Sequence, residues 1–292
     1  MKNKKRLGFL LVCLLPTFIL FCFFIIYPTI QVFLKSMYNY SAFGGGSEFI
    51  GLKNYTDMLN DGIFLKALIN TGILMLIVPV ATLFLSLVLA FILSNGRLRE
   101  KDLYRTIFFF PSILSFVVIG ILWSFIYHPN MGILNSALKF IGLDKLALTW
   151  LGNPETVLWA IAVTMIWQAT GYYMIMYLAG MDSIPKELYE AASMDGATAT
   201  KQFFKITIPM LWEIIRVTII FSIKGVLVIS FVIVTVMTAG GPNNSSQVVM
   251  TYMYQQAFVN ANFGYAMAIT VTVFIISIFL SFLSNKLTER DT

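Results

Sequence analysis

The sequence predicts an all-α fold of six membrane-spanning helices, on three observations. Six apolar runs each exceed the roughly 20 residues that cross about 30 Å of hydrocarbon. Of the 292 residues, 58% are hydrophobic and 12% charged, with a mean hydropathy of +0.82, a balance that soluble globular domains do not reach. The basic residues crowd alternate connections between the runs. The expected architecture is one transmembrane domain over residues 1–292, with spans at about 7–34, 67–94, 106–127, 157–180, 210–238 and 263–284.

Each element follows from its residues. The start, KNKKR before a long apolar stretch, has the charge of a signal peptide, but the stretch is too long and lacks a small-residue cleavage site, so it is expected to remain as the first span. Cys13 and Cys22 lie nine positions apart within it and turn to opposite faces, which suits packing and not a disulfide or a ligand pair. The connection over 35–66 is too short to bury a core of its own, and the glycines at 44–46 mark a turn. Between the fourth and fifth spans, the loop 182–209 is itself helical in pattern. Leu188, Ala191, Ala192 and Asp195 recur at helical spacing, and Gly196 ends that helix because it adopts a left-handed backbone cheaply. Ser183 is expected to cap the start, with Pro185 in the first turn; Thr198 is expected to cap a second short helix carrying Phe203, Phe204 and Ile206 toward Pro209. Gly171 and Gly180 in the fourth span read as close helix packing.

Orientation follows from the lysines and arginines, which stay cytoplasmic in short loops. Lys2, Lys4, Lys5, Arg6, Arg97, Arg99, Lys101, Arg105, Lys186, Lys201, Lys205, Lys286 and Arg290 make thirteen on one side; the opposite loops hold Lys35, Lys53, Lys66, Lys139 and Lys145, and residues 239–262 hold no charge. Both termini and the loop 182–209 are therefore expected in the cytoplasm. The net charge of +6 expresses this bias and calls for no nucleic acid.

Catalytic constellations are absent. There is no G-x-x-x-x-G-K-[ST] loop, so this chain is not expected to bind or hydrolyse ATP. His128 is the one histidine, which leaves neither a His-based metal cluster nor a Ser-His-Asp triad. The carboxylates concentrate in loops and offer no paired site in a dry pocket. Within the spans, Lys224 stands out, fourteen residues and thus about 21 Å along the helix from Thr238. An ionisable group there must face protein or water, as a substrate-path or gate residue or as the partner of a group on another subunit. Trp123, Tyr127, Trp167, Tyr172 and Tyr173 offer aromatic faces for a ligand to stack on, although Trp and Tyr also gather at membrane interfaces. Gln168, Ser230 and Thr235 offer hydrogen bonds in mid-span, to hydroxyls or between helices.

The stretch EAASMDGATATKQFFKITIP resembles the EAA motif of the membrane permeases of binding-protein-dependent ABC importers, through Glu190, Ala191, Ala192, Asp195, Gly196, Ala197, Ile206 and Pro209, with Ile208 where that family usually has Leu. The resemblance implies a coupling helix that sits in a groove of an ATPase subunit. Glu190 would make the polar contact, Ala191 and Ala192 would permit close approach, and Gly196 would set the turn.

The likeness extends over about 35–285. Gly51, Leu52, Asn54, Tyr55, Phe64, Asn70 and Thr71 match the approach to the second span in carbohydrate permeases; Arg105, Pro111, Trp123, Gly132 and Asn135 match a second stretch; Thr238, Gly240, Gly241 and Pro242 are typical of the branch of the first maltose and glycerol-phosphate permeases. It implies a type I importer fold, a bacterial plasma-membrane location, and a heterodimer with a second permease. It also implies two ATPase subunits holding ATP and Mg, an extracytoplasmic solute-binding protein, and a sugar, oligosaccharide or polyol as cargo. The alternatives are a permease of this class for another solute and a membrane-embedded lipid-modifying enzyme, which would need a clustered His or acidic site.

Overall fold

The computed structural model describes residues 2–40, 47–94 and 100–288. The turn expected at 44–46 and the basic residues Arg97, Arg99 and Arg290 lie outside them. In chain order, helix α1 (Lys2–Phe21) passes through a π-helical turn (Cys22–Ile26) into α2 (Tyr27–Lys35). A two-residue ribbon follows, β1 (Tyr38–Asn39) antiparallel to β2 (Glu48–Phe49), with Tyr38 opposite Phe49. Then come α3 (Lys53–Asn60), α4 (Gly62–Ser94), α5 (Lys101–Ile113), α6 (Phe116–Ile126), α7 (Ile133–Phe140) and α8 (Val157–Asp182). The loop between α8 and the next long helix holds α9 (Lys186–Met194), α10 (Ala199–Gln202), a π-helical turn (Phe203–Thr207) and α11 (Ile208–Met210). Last are α12 (Trp212–Met237), α13 (Val249–Tyr254) and α14 (Phe263–Thr288).

Among the described residues, four segments are long and apolar enough to cross a membrane: Val12–Lys35, Gly62–Ser94, Trp212–Met237 and Phe263–Leu283. Two of the expected spans differ. The run over 106–127 is not one straight helix, because α5 and α6 meet at a bend of 103° across Leu114 and Ser115. Pro111 contributes to the break: it has no N–H to give to the preceding turn. The run over 157–180 does form a 26-residue helix, but Thr164, Gln168, Thr170 and three tyrosines make it less apolar than the other four. That polarity is tolerable because α8 is the sheathed helix, with most of its side chains buried.

The chain divides into two compact units, residues 1–62 with 253–276 and residues 63–252 with 277–292. In the first, Asn54 Nδ2 donates to the carbonyls of Ser36 (2.8 Å) and Tyr38 (3.1 Å), and the Tyr55 hydroxyl lies 2.7 Å from Ser36 Oγ. Tyr265 donates to Asp61 Oδ2 at 2.7 Å, and Phe33 meets Phe274 edge to face. Cys13 is exposed and Cys22 half-buried, both with free thiols.

In the second unit α8 is the hub. Ser86 of α4 donates to the Thr170 carbonyl (2.7 Å), Ser112 of α5 to the Gln168 carbonyl (3.0 Å), and Tyr127 after α6 to the Ala160 carbonyl (3.1 Å). The hydroxyls of Tyr177 and Thr218 join α8 to α12 at 2.7 Å. Buried Leu74, Ile119, Ile161, Met165 and Ile233 fill one apolar cluster around this hub, and Leu93, Met174, Tyr177 and Leu211 another. Gly171 lets the α5 backbone come into direct contact with α8, since a Cβ there would fall 1.9 Å from the Phe108 carbonyl oxygen.

Candidate functional site

The loop between α8 and α12 folds as a helical hairpin. Its first helix does not start as expected: Ser183 turns back to donate to the Gly180 carbonyl (2.7 Å), and Pro185 is the N-cap residue without a side-chain bond. Pro fits because its missing N–H leaves one fewer terminal donor to satisfy. The helix ends as the sequence implies. Gly196 has φ +74°, Gly196 N–H donates to the Ser193 carbonyl (3.0 Å) and Ala197 N–H to the Ala192 carbonyl (2.9 Å), the paired bonds of a Schellman close. Thr198 then caps α10 by accepting from Lys201 N–H at 3.3 Å.

Two residues without a role in the sequence reading fasten the hairpin. Gln202 Nε2 donates to Ser193 Oγ (2.8 Å), the Ala197 carbonyl (3.2 Å) and the Tyr189 carbonyl (3.4 Å), and the Tyr189 hydroxyl lies 2.9 Å from Thr207 Oγ1. Their signal in the sequence is slight, because both contacts pair residues on different helices. Behind the hairpin lies a cavity of about 410 Å³ bordered by Phe91, Ser94, Asp182, Tyr189, Gln202 and Phe203. Arg105 at the start of α5 reaches Asp182 at the end of α8 with 3.3 Å between Nη2 and Oδ2.

The outward face of α9 is open. Leu188, Glu190, Ala191, Asp195 and Gly196 are exposed, whereas Ala192 and Ala197 are half-buried. Thus Ala192, expected on the free face, is less open than Ala191. Met194, which sequence reasoning passed over, is the most prominent apolar group, 89% exposed one turn beyond Glu190. Its flexible thioether suits a surface that adapts to a partner.

The mid-span candidates separate into groups. Trp123, Tyr127 and Trp167 come together, with ring centroids 5.1 Å apart for Trp123–Tyr127 and 5.5 Å for Trp123–Trp167. Trp123 Nε1 and Gln168 Oε1 are both buried without a hydrogen bond, a donor and an acceptor with unmet capacity. Tyr172 stands apart beside Tyr173, half exposed. Ser230 is buried and Thr235 exposed; their hydroxyls return to their own helix, on the carbonyls of Leu227 (3.2 Å) and Phe231 (2.6 Å), and among the described residues they bridge no neighbouring helix. Lys224 is exposed on α12 beside Ser277 and Ser281 of α14. His128 is structural, its Nδ1 accepting from the backbone of Asn130 and Met131.

The loop after α12 is held from α4. Asn70 Nδ2 donates to the carbonyls of Ser245 (3.0 Å) and Gln247 (2.9 Å), Thr71 Oγ1 accepts from Val249 N–H (3.0 Å), and Lys66 reaches the Asn243 carbonyl (3.1 Å). These bonds hold the segment 243–249, which follows Gly240-Gly241-Pro242, against the start of α4.

Several apolar helices and a hairpin that continues from the hub helix of the second unit define a multi-pass membrane protein. Residues 82–291 match the family described as binding-protein-dependent transport system inner membrane component, and the chain belongs to it. A probable ABC transporter permease protein of Bacillus subtilis, YurN, is 37% identical over 269 residues, 92% of each chain. The diacetylchitobiose uptake system permease NgcF of Streptomyces coelicolor is 33% identical over 97% of this chain and 84% of its own. Among solved structures, a chain of a bacterial ABC transporter involved in import of the acidic polysaccharide alginate superposes with a TM-score of 0.87 at 26% identity, covering 100% of this chain and 98% of its own. The protein is therefore a membrane permease subunit of an ATP-driven importer, and ATP hydrolysis belongs to a separate subunit.

Proposed function

We propose that this chain forms part of the path by which a saccharide or related polyol enters a bacterial cell, as one half of a heterodimer with a second permease. Two ATPase subunits holding ATP and Mg would dock on the hairpin, and an extracytoplasmic binding protein would deliver the solute; the chain itself would hold no cofactor. In this reading residues 1–292 act as one membrane domain, with both termini and the α9 hairpin in the cytoplasm. The observation that carries the proposal is the open face of α9, where Glu190, Ala191, Asp195, Gly196 and the Met194 knob project from a hairpin continuous with α8. Ala192 and Ala197, half-buried, complete the proposed coupling set.

The mechanics follow from the tethers. Closure of the ATPase pair would displace the hairpin, and α8 would carry that displacement to α4, α5, α6 and α12 through the bonds at Thr170, Gln168, Ala160 and Tyr177. Rigid elements so joined move as a body, which is what alternating access requires. Trp123, Tyr127 and Trp167, with Gln168 and Tyr172, are the proposed stacking and hydroxyl-reading groups; Lys224, Ser230 and Thr235 complete the proposed pathway set. The saccharide reading rests on the likeness to permeases named for such cargo, including the diacetylchitobiose system.

The test is reconstitution with the cognate subunits. Uptake should require nucleotide turnover, and Gly196→Asp should leave the chain inserted while uncoupling hydrolysis from uptake. Undiminished uptake and stimulated hydrolysis in that variant would remove the hairpin from the mechanism. A cysteine at Met194 in a background lacking Cys13 and Cys22 should react with membrane-impermeant maleimide only after the cells are opened.

A further inference from the structure

The face shared by α12 and the end of α14 holds two cations in unlike circumstances. On α12, Arg216, Ile220 and Lys224 fall at i, i+4 and i+8, on one side of the helix. On α14, Ser277, Ser281 and Asn285 do the same. The helices run side by side there: Arg216 Nη2 donates to Asn285 Oδ1 at 2.5 Å, Ile220 and Ser281 border one groove, and Lys224 shares its wall with Ser277 and Ser281. Eight residues at about 1.5 Å each put Arg216 and Lys224 about 12 Å apart along a groove whose walls are mostly apolar, Ile220 lying between them.

Arg216 is answered within the chain, by Asn285 and by Glu213 at 4.0 Å. Lys224 is not: among the described residues it forms no ion pair, and it is exposed on the helix surface. It lies twelve residues, about 18 Å, from the start of α12 at Trp212, deep within a span where hydrocarbon cannot solvate an ammonium. A neutral hydroxyl compensates such a charge poorly, whereas an anion forms a charge-assisted bond with it. A fixed carboxylate supplied by a neighbouring subunit would form a buried pair, a weak source of stability. One ammonium flanked by two serines instead resembles a transit site, attractive enough to be entered and weak enough to be left.

We propose that Lys224, with Ser277 and Ser281, is an anion-selecting station, and that the solute this importer carries is an acidic saccharide bearing a carboxylate, sulfonate or phosphate. The inference rests on the permease reading above and narrows its cargo. Related systems include both kinds of cargo, diacetylchitobiose in one name and the acidic polysaccharide alginate in another, so the family alone does not decide between them.

Proteoliposomes carrying this chain with its cognate subunits and binding protein would be given trigalacturonate, 6-sulfo-6-deoxyglucose and glucose 6-phosphate, with maltotriose and glucose as neutral counterparts. Nucleotide-dependent uptake is expected for at least one acidic member and for neither neutral one. Lys224→Gln should lower acidic uptake about tenfold to a hundredfold, Lys224→Arg should retain most of it, and the charge-loss control Lys139→Gln should not change it. Uptake confined to the neutral members, or acidic uptake unchanged in Lys224→Gln, overturns the anion inference and leaves the permease reading standing. No uptake of any member overturns both the saccharide reading and the inference built on it. A Lys224→Gln chain that fails to assemble where Lys224→Arg assembles assigns the residue to the subunit interface and overturns it also.

Discussion

Gly171 and the carbonyl of Phe108 meet with no side chain between them. A Cβ on Gly171 would lie 1.9 Å from that oxygen and 2.8 Å from the Phe109 Cα, so neither helix could keep its place. Both partners are backbone atoms and cannot rotate aside. Gly171→Ala is expected to cost about 3 kcal/mol and to lower the midpoint of thermal unfolding in detergent by several degrees. An unchanged midpoint would mean that α5 does not rest on α8 at this point.

The hydroxyls of Tyr177 and Thr218 bond α8 to α12, and both residues are buried. Membrane hydrogen bonds of this kind average about 0.6 kcal/mol. In a double-mutant cycle with Tyr177→Phe and Thr218→Val, the two losses should be less than additive by about that amount when unfolding is followed in SDS. Additive losses would show that the two hydroxyls act independently.

Gln202 ties the two arms of the hairpin through three acceptors on the first arm. Gln202→Leu keeps the side-chain size and removes the donor. Solute taken up per ATP hydrolysed should fall about fivefold or more, with the chain still inserted and the complex still formed. A normal ratio would show that the hairpin is rigid without this clamp.

Asn70 holds two carbonyls of the turn after α12 at once, and the residue is only 6% exposed. Asn70→Ala should free that turn at about 2 kcal/mol, two bonds of about 1 kcal/mol each. A cysteine placed at Asn244 should then react with maleimide about tenfold faster or more. An unaltered rate would assign the stability of the turn to its own internal bonds, such as Ser246 Oγ on the Gly241 carbonyl.

Local chemistry was the legible part of this fold. Gly196 and Thr198 sit where their backbone and capping preferences place them, because those preferences act within four residues. Ser183 competed between two nearby carbonyl and amide partners, and the Gly180 carbonyl won. The bend at Leu114 and Ser115 was hidden because hydropathy counts apolar residues without regard to direction, and the run continues apolar from one side of the bend to the other. The one sign of it was Pro111. Gln202, Tyr189 and Met194 were passed over for a related reason: their importance arises when α9 and α10 fold against each other, and no spacing within either helix records it. The same holds for Trp123 and Trp167, which lie 44 positions apart yet have ring centroids 5.5 Å apart.

The 103° turn between α5 and α6 has a bearing on how the backbone is shielded from lipid. With 13 and 11 residues, the two halves measure only about 20 and 16 Å, so neither bridges the hydrocarbon alone. The peptide groups at the corner have left the helical ladder, and lipid tails offer them nothing in exchange. That corner is lodged against protein, for Leu114 and Phe116 pack on the apolar cluster around α8 and the Ser115 carbonyl accepts from Ile119 N–H, so the chain can turn back inside the bilayer without offering its backbone to lipid.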